Sequence, residues 1–223
     1  MHFAILVEDA SGKAMLDILV PKILGPDSEH SFEIHPYKGI GHIPKGLSPK
    51  TDPEKRILLD QLPRILAGFG QTFASYGKAY PAAVIVVCDL DNRNEQAFRS
   101  ELSAVLERVG KAPSTAFCLA IEEGEAWLLG DMAAIKKAFP KAKDAVLASY
   151  VNDSICGTWE LLADALYPGG ARVLEAQGYR VAGAEKFRWA REISPHMDVD
   201  NNESPSFRDF ITALRPKDAP VSP

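Results

Sequence analysis

The sequence predicts an α/β protein: a mostly parallel sheet flanked by helices, with a helical C-terminal extension. Apolar runs at residues 2–7, 82–91 and 114–121 have the near-continuous hydrophobicity of strands covered on both faces. Helical periodicity fills the intervals between them, and strands that alternate with helices pair in parallel. After residue 121 the pattern turns helical, with no further strand of comparable strength.

In chain order, HFAILV (residues 2–7) is the first strand and EDASG the turn after it. From Ser11 onward, Met15, Leu16, Ile18, Leu19 and Ile23 fall at helical spacing until Gly25 and Pro26 stop the pattern. A second strand is expected at 31–35. The stretch HPYKGIGHIPKGLSPKTDP that follows has no hydrophobic period, and loops of that length are functional or mobile. Thr51 or Asp52 before Pro53 marks a helix start, and Ile57, Leu58, Leu62, Ile65 and Leu66 continue it with a kink at Pro63.

AAVIVVCDLD, residues 82–91, is the strongest strand and is expected at the centre of the sheet. A helix follows at 94–109 through Phe98, Leu102, Val105 and Leu106, then the apolar strand at 114–121. Helical stretches are expected near 125–129, 132–139, 158–166 and 184–193. Ser204 caps a last helix with Pro205 at its first position, running over 207–214. Residues 1–130 are then the α/β core, 131–215 a helical extension packed on the same domain, and 216–223 a flexible tail.

Of 223 residues, 46% are hydrophobic and 25% charged, a balance that buries a continuous core and argues against disorder. The net charge of −5 excludes a broad electrostatic attraction to nucleic acid, so any such contact is local. Cys88, Cys118 and Cys156 form no CxxC pair and read as small buried hydrophobes in a reducing compartment. The first apolar run is broken at once by Glu8 and Asp9, unlike a signal peptide, and no stretch approaches the roughly 18 apolar residues of a membrane span. A cytoplasmic location is expected.

Ligand sites of open parallel sheets lie outside the carboxyl ends of the strands, where acids distant in sequence converge. Glu8 follows the first strand, and Asp89 and Asp91 end the strongest one. Mg²⁺ takes hard oxygen ligands, few of them from protein, with phosphates and waters completing its shell. If the strand stays extended through residue 91, both aspartates point to one side and Leu90 to the other. The competing reading of these acids is as turn and cap residues. Glu122, Glu123 and Glu125 follow the 114–121 strand; acids at a helix start are also favoured by the helix dipole alone, whereas Trp127, Leu128 and Leu129 read as core. Lys38, His42, Lys45 and Lys50 make the long loop locally basic, fit either for a phosphodiester backbone or simply for solvent.

Other chemistries are disfavoured. Ser11-Gly12-Lys13 lacks the upstream glycine and following Ser or Thr of a P-loop, and GIGHIPKG has Pro44 where a dinucleotide fingerprint needs its third glycine. The histidines show no metal-ligand spacing, and no serine sits in a GxSxG elbow. A haloacid-dehalogenase-like phosphatase would carry its DxD on the first strand, followed by Thr or Val, whereas here Asn92 follows Asp91.

Glu8 in AILVED, together with Asp89 and Asp91 in VIVVCDLD, resembles the TOPRIM superfamily of topoisomerases, bacterial primases and overcoming-lysogenisation-defect nucleases. EGEAWLLGD (residues 123–131), the SPSF segment at 204–207 and the loop YKGIGHIPKG are similar to a TOPRIM-like family of small bacterial proteins encoded beside ATPases of the AAA or ABC type. The chain departs from that pattern at Gly124, where the family has an aromatic residue, and at Gly130, where it has alanine.

The resemblance implies a TOPRIM-like, Rossmann-like fold and Mg²⁺ or Mn²⁺ held by Asp89 and Asp91, with Glu8 a further ligand or the general acid/base. It also implies Glu123 and Glu125 at a second metal and Lys186 offsetting phosphate charge. The implied activity is a metal-dependent nuclease or phosphodiesterase acting on DNA or RNA, the effector of a phage-defence system with a partner ATPase. The alternative is a non-catalytic nucleic-acid- or ATPase-binding subunit that retains the fold.

Overall fold

The computed structural model describes residues 1–46, 52–77 and 79–215. Strands β1 (His2–Val7), β2 (Ser31–Pro36), β3 (Ala82–Asp89) and β4 (Ser114–Ala120) form a four-stranded sheet in the order β2-β1-β3-β4, every pair parallel. Parallel neighbours need crossovers, which α1 (Ala10–Leu24), α2 (Leu58–Ala74) and α3 (Glu95–Val109) provide in turn. The chain then continues through α4 (Glu125–Leu129), α5 (Met132–Ala138), α6 (Asp144–Leu147), α7 (Thr158–Leu166), α8 (Gly170–Ala176), α9 (Tyr179–Ile193) and α10 (Pro205–Leu214).

Side-chain alternation sorts the strands onto two cores. Phe3, Ile5, Val7, Ile85 and Val87 face one cluster, shared with α1 and the C-terminal helices. Ala4, Leu6, Val84, Val86 and Cys88 face the other, shared with α2 and α3. Covering both faces is why the strands read as unbroken apolar runs. The helical extension joins the first cluster through Trp127, whose ring stacks on Phe210 at 5.0 Å and whose indole N–H donates to Ser206 Oγ at 2.9 Å.

β1 and β3 are adjacent, yet α1 leaves β1 on one face and α3 leaves β3 on the other. That reversal opens a crevice at their carboxyl ends, the place where such sheets bind ligands. The register pairs Val7 with Val87, so Glu8 leaves β1 one step before Asp89 leaves β3 and the two acids come out at the same end of the sheet.

Several boundaries differ from expectation for local reasons. β3 ends at Asp89, because Asp91 turns into the left-handed region at φ 51. The predicted helix start at Asp52 is a single 3₁₀ turn, Pro53–Lys55, ended by Arg56 at φ 53, and α2 begins only at Leu58. Thr51 and Lys50 lie outside the described residues, as does the tail 216–223. α9 starts five residues before the expected 184, and the short helices α6 and α8 carry too weak a period to have been anticipated. Cys88 and Cys118 are buried as expected, but Cys156 is exposed. Among the described residues no helix is long and apolar enough to cross a membrane.

Candidate active site

At the crevice, Glu8 Oε2 accepts a long hydrogen bond of 3.4 Å from the Asp89 N–H, so the two strand ends meet directly. Asp9 opens α1 as its N-cap, accepting from Gly12 N–H at 2.7 Å and Ser11 Oγ at 2.7 Å. The third carboxylate arrives from β4: after Glu122 turns at φ 65, Glu125 begins α4 and is buried. From the opposite side α9 brings Lys186, whose Nζ lies 3.1 Å from Glu123 Oε2 and 3.3 Å from Glu125 Oε2. Glu8, Asp89, Glu125 and Lys186 all line one pocket of about 500 Å³, counting the space open to solvent. Its inner wall is apolar, formed by Val7, Val87 and Trp127 among others.

This wall sets the electrostatics. Burial pushes Glu8 up to about 7; the Asp89 N–H opposes the shift, while Asp91 and Asp9 add to it. Asp89 is raised well above the usual carboxylate range by burial and by Glu8 and Glu125. Burial also raises Glu125 to about 7, against the pull of Lys186. Burial alone would lower Lys186, but Glu125 and Glu123 outweigh it and hold the ammonium charged well above its usual range. The pocket buries more carboxyl groups than its single lysine could balance as anions, and they hold their protons more tightly for it.

A family model described as a domain of unknown function, DUF4276, matches residues 7–215. The chain belongs to the DUF4276 family. The matched range spans Glu8, Asp89, Asp91, Glu123, Glu125 and Lys186, so the pocket lies within the DUF4276 domain of this chain. No curated protein and no solved structure matches the chain.

Of the residues singled out from the DUF4276 sequence, Glu8, Asp89, Glu125 and Lys186 converge, and Glu123 joins them through Lys186. Asp91 does not line the pocket. With the strand ended, it does not share the side of Asp89 and instead lies 3.5 Å from Arg93 Nη2. Glu122 has a scaffolding place: its carboxylate accepts from the N–H groups of Cys156, Gly157 and Thr158 and so clamps the start of α7.

Lys38, His42 and Lys45 are exposed on a loop that the fold holds in place beside Glu8. Gly39 N–H donates to Glu8 O at 3.0 Å, His42 N–H to buried Asp60 at 2.7 Å, and Arg108 pins Pro44 O and Lys45 O. Gly41 sits at φ 69, where a Cβ would overlap Ile57 and the Asp60 carboxylate. Gly41→Ala is therefore expected to lower stability by about 2 kcal/mol in urea titration, through a strained backbone and a displaced Asp60; an unchanged midpoint would show that the loop yields freely.

Arg93 and Asp60 escaped sequence reasoning, since neither spacing nor periodicity marks them. Gly124 has open space beside it: a Cβ there would meet only Met15, at 3.8 Å. Gly130 is tied to its neighbours, because a Cβ would overlap Asn202 and Ser204.

A divalent cation suits part of this donor set. The crowded carboxyls are hard oxygen donors with only Lys186 to offset them, and among the described residues Glu8 and Asp89 take part in no side-chain ion pair. Glu123 and Glu125 already have Lys186, which weakens the case for a second ion there. Among the described residues no three His, Cys, Asp or Glu side chains converge as a ready cage, so substrate and water oxygens would have to complete the shell.

Proposed function

We propose that this chain is a TOPRIM-like, Mg²⁺- or Mn²⁺-dependent nuclease that hydrolyses phosphodiester bonds of DNA or RNA. The observation that carries the reading is the convergence of Glu8 and Asp89, from neighbouring strand ends, with Glu125 and Lys186 in one pocket. Asp89 would hold the ion, and Asp91 would join it only by leaving Arg93. When bound, the ion supplies Lewis-acid stabilisation of the phosphoryl oxygens. Glu8, near neutrality, accepts the proton of the attacking water at its carboxylate, the match of pKa to working pH that general bases need. Lys186 offsets charge on the phosphate, and the loop bearing Lys38 and Lys45 approaches the backbone on the other side.

Incubation with single- and double-stranded DNA and RNA under Mg²⁺ or Mn²⁺ tests this. Asp89→Asn and Glu8→Gln are each expected to reduce cleavage by about 100-fold or more. Cleavage that persists in Asp89→Asn sinks the assignment.

A second reading, a non-catalytic nucleic-acid- or ATPase-binding subunit, is favoured by one observation: Lys186 already serves as internal counter-ion to Glu123 and Glu125. Binding without cleavage under any divalent ion selects it. A partner ATPase of the AAA or ABC type and a role as effector in phage defence belong to the nuclease proposal.

A further inference from the structure

A second cleft begins where the acidic pocket ends. It lies between α7, α8 and the first turns of α9, holds about 750 Å³ including space open to solvent, and is lined by Trp159, Glu175, Tyr179, Ala182, Gly183 and Lys186. Lys186 lines both cavities, so the cleft adjoins the acids across that one side chain.

Its wall is unusual in what it exposes. Tyr179, the first residue of α9, is 89% exposed, far more than any other large apolar side chain among the described residues. Nothing in the core requires it there. Along the same helix beyond Tyr179 the wall is bare: a Cβ at Gly183 would meet no atom outside its own stretch of helix within 4 Å, and Ala182 adds only a methyl group. Trp159 on α7 is packed partly against the core and lines the same space. A half-fixed indole, a free phenol ring and a smooth helix face leave room for a flat aromatic body, and bases stack on such rings whatever their identity. Glu175 adds an acceptor and Lys186 a donor at the edge of the cleft, so a base lying there finds partners for its polar edge.

We infer that this cleft is a stacking site for an unpaired nucleobase, which makes single-stranded nucleic acid the substrate class of the neighbouring acidic pocket. The inference rests on the nuclease reading for its direction: a phosphate beside Lys186 places the adjoining base in the cleft. A paired base in a duplex keeps its faces stacked on its neighbours and cannot enter.

The probe is a set of short single-stranded DNA and RNA oligonucleotides, with hairpin duplexes of the same composition, titrated by fluorescence anisotropy against the full chain without divalent ions. Tyr179→Ala is expected to weaken single-strand binding about tenfold and to leave duplex binding unchanged. Tyr179→Phe keeps the wild-type affinity, and removing the stacked base with an abasic nucleotide reproduces the loss without adding to that of Tyr179→Ala. Because Tyr179 is so exposed, these variants fold. If the wild type binds and cleaves while Tyr179→Ala and Tyr179→Phe both behave as wild type, the stacking site falls and the nuclease stands. If Tyr179→Ala weakens binding but no divalent ion supports cleavage, the stacking site stands and the nuclease falls. No measurable single-strand binding by the wild type overturns the inference outright.

Discussion

Lys186→Met is expected to destabilise the protein by about 3 kcal/mol at pH 8 and by far less at pH 5. Methionine keeps most of the apolar stem, so the change removes charge rather than packing. Glu125, almost wholly buried, then loses its ion pair, and removing one partner of a buried pair leaves an uncompensated charge. Lys186 is also what holds Glu125 down to about 7, so in the variant Glu125 takes up a proton at still higher pH. At pH 5 it is neutral and the penalty largely vanishes. Lys186 itself adds no pH dependence here: its folded pKa is raised, so its contribution is complete below the ordinary lysine value. Urea unfolding followed by circular dichroism at both pH values is the measurement. An equal loss at pH 5 and pH 8 would mean that the side chain matters for packing alone.

The wild type in turn is expected to lose roughly 3 kcal/mol of stability between pH 5 and pH 8 in the absence of divalent ions, less than the separate shifts of Glu8 and Glu125 would give because the groups titrate together. Both carboxyls have folded pKa values of about 7 against an ordinary 4.5. The native state therefore holds more protons than the unfolded chain in this window, and stability falls as pH rises from about 4.5 to about 7. Asp89 shifts in the same direction. Asp89→Asn puts a neutral group of the same shape where burial disfavours the carboxylate, so it is expected to remove cleavage without lowering the thermal midpoint at pH 8. Mg²⁺ should restore stability to the wild type at pH 8 and not to Asp89→Asn. A wild type that gains stability from pH 5 to pH 8 would refute this account of the pocket.

The parts of the fold legible in the sequence are those written in hydrophobic period. β3 was readable because its β-branched run has no polar face, and Ser204 with Pro205 marks the start of α10 as it stands. The start of α9 was hidden by Gly178, Tyr179 and Gly183, which are poor helix signals, and by a mostly charged outer face. The end of β3 was misplaced because a left-handed aspartate leaves no mark on period. For the site, the position of Glu8 and Asp89 at neighbouring strand ends followed from topology. Contacts of Lys186 with acids some sixty positions earlier did not; spacing says nothing about them, and only the family resemblance brought that residue forward.

The two flanks of the crevice are fastened to different cores. The Lys38–Lys45 loop is held on the face of α2 and α3, by Asp60 and Arg108, while α9 packs against α1 on the other. The sheet stands between them as a fixed spacer, tied by the β1–β3 ladder. The two flanks can therefore be disturbed one at a time: a substitution that frees Asp60 or Arg108 loosens the loop on its own core and leaves the packing of α1 on α9 as it stands.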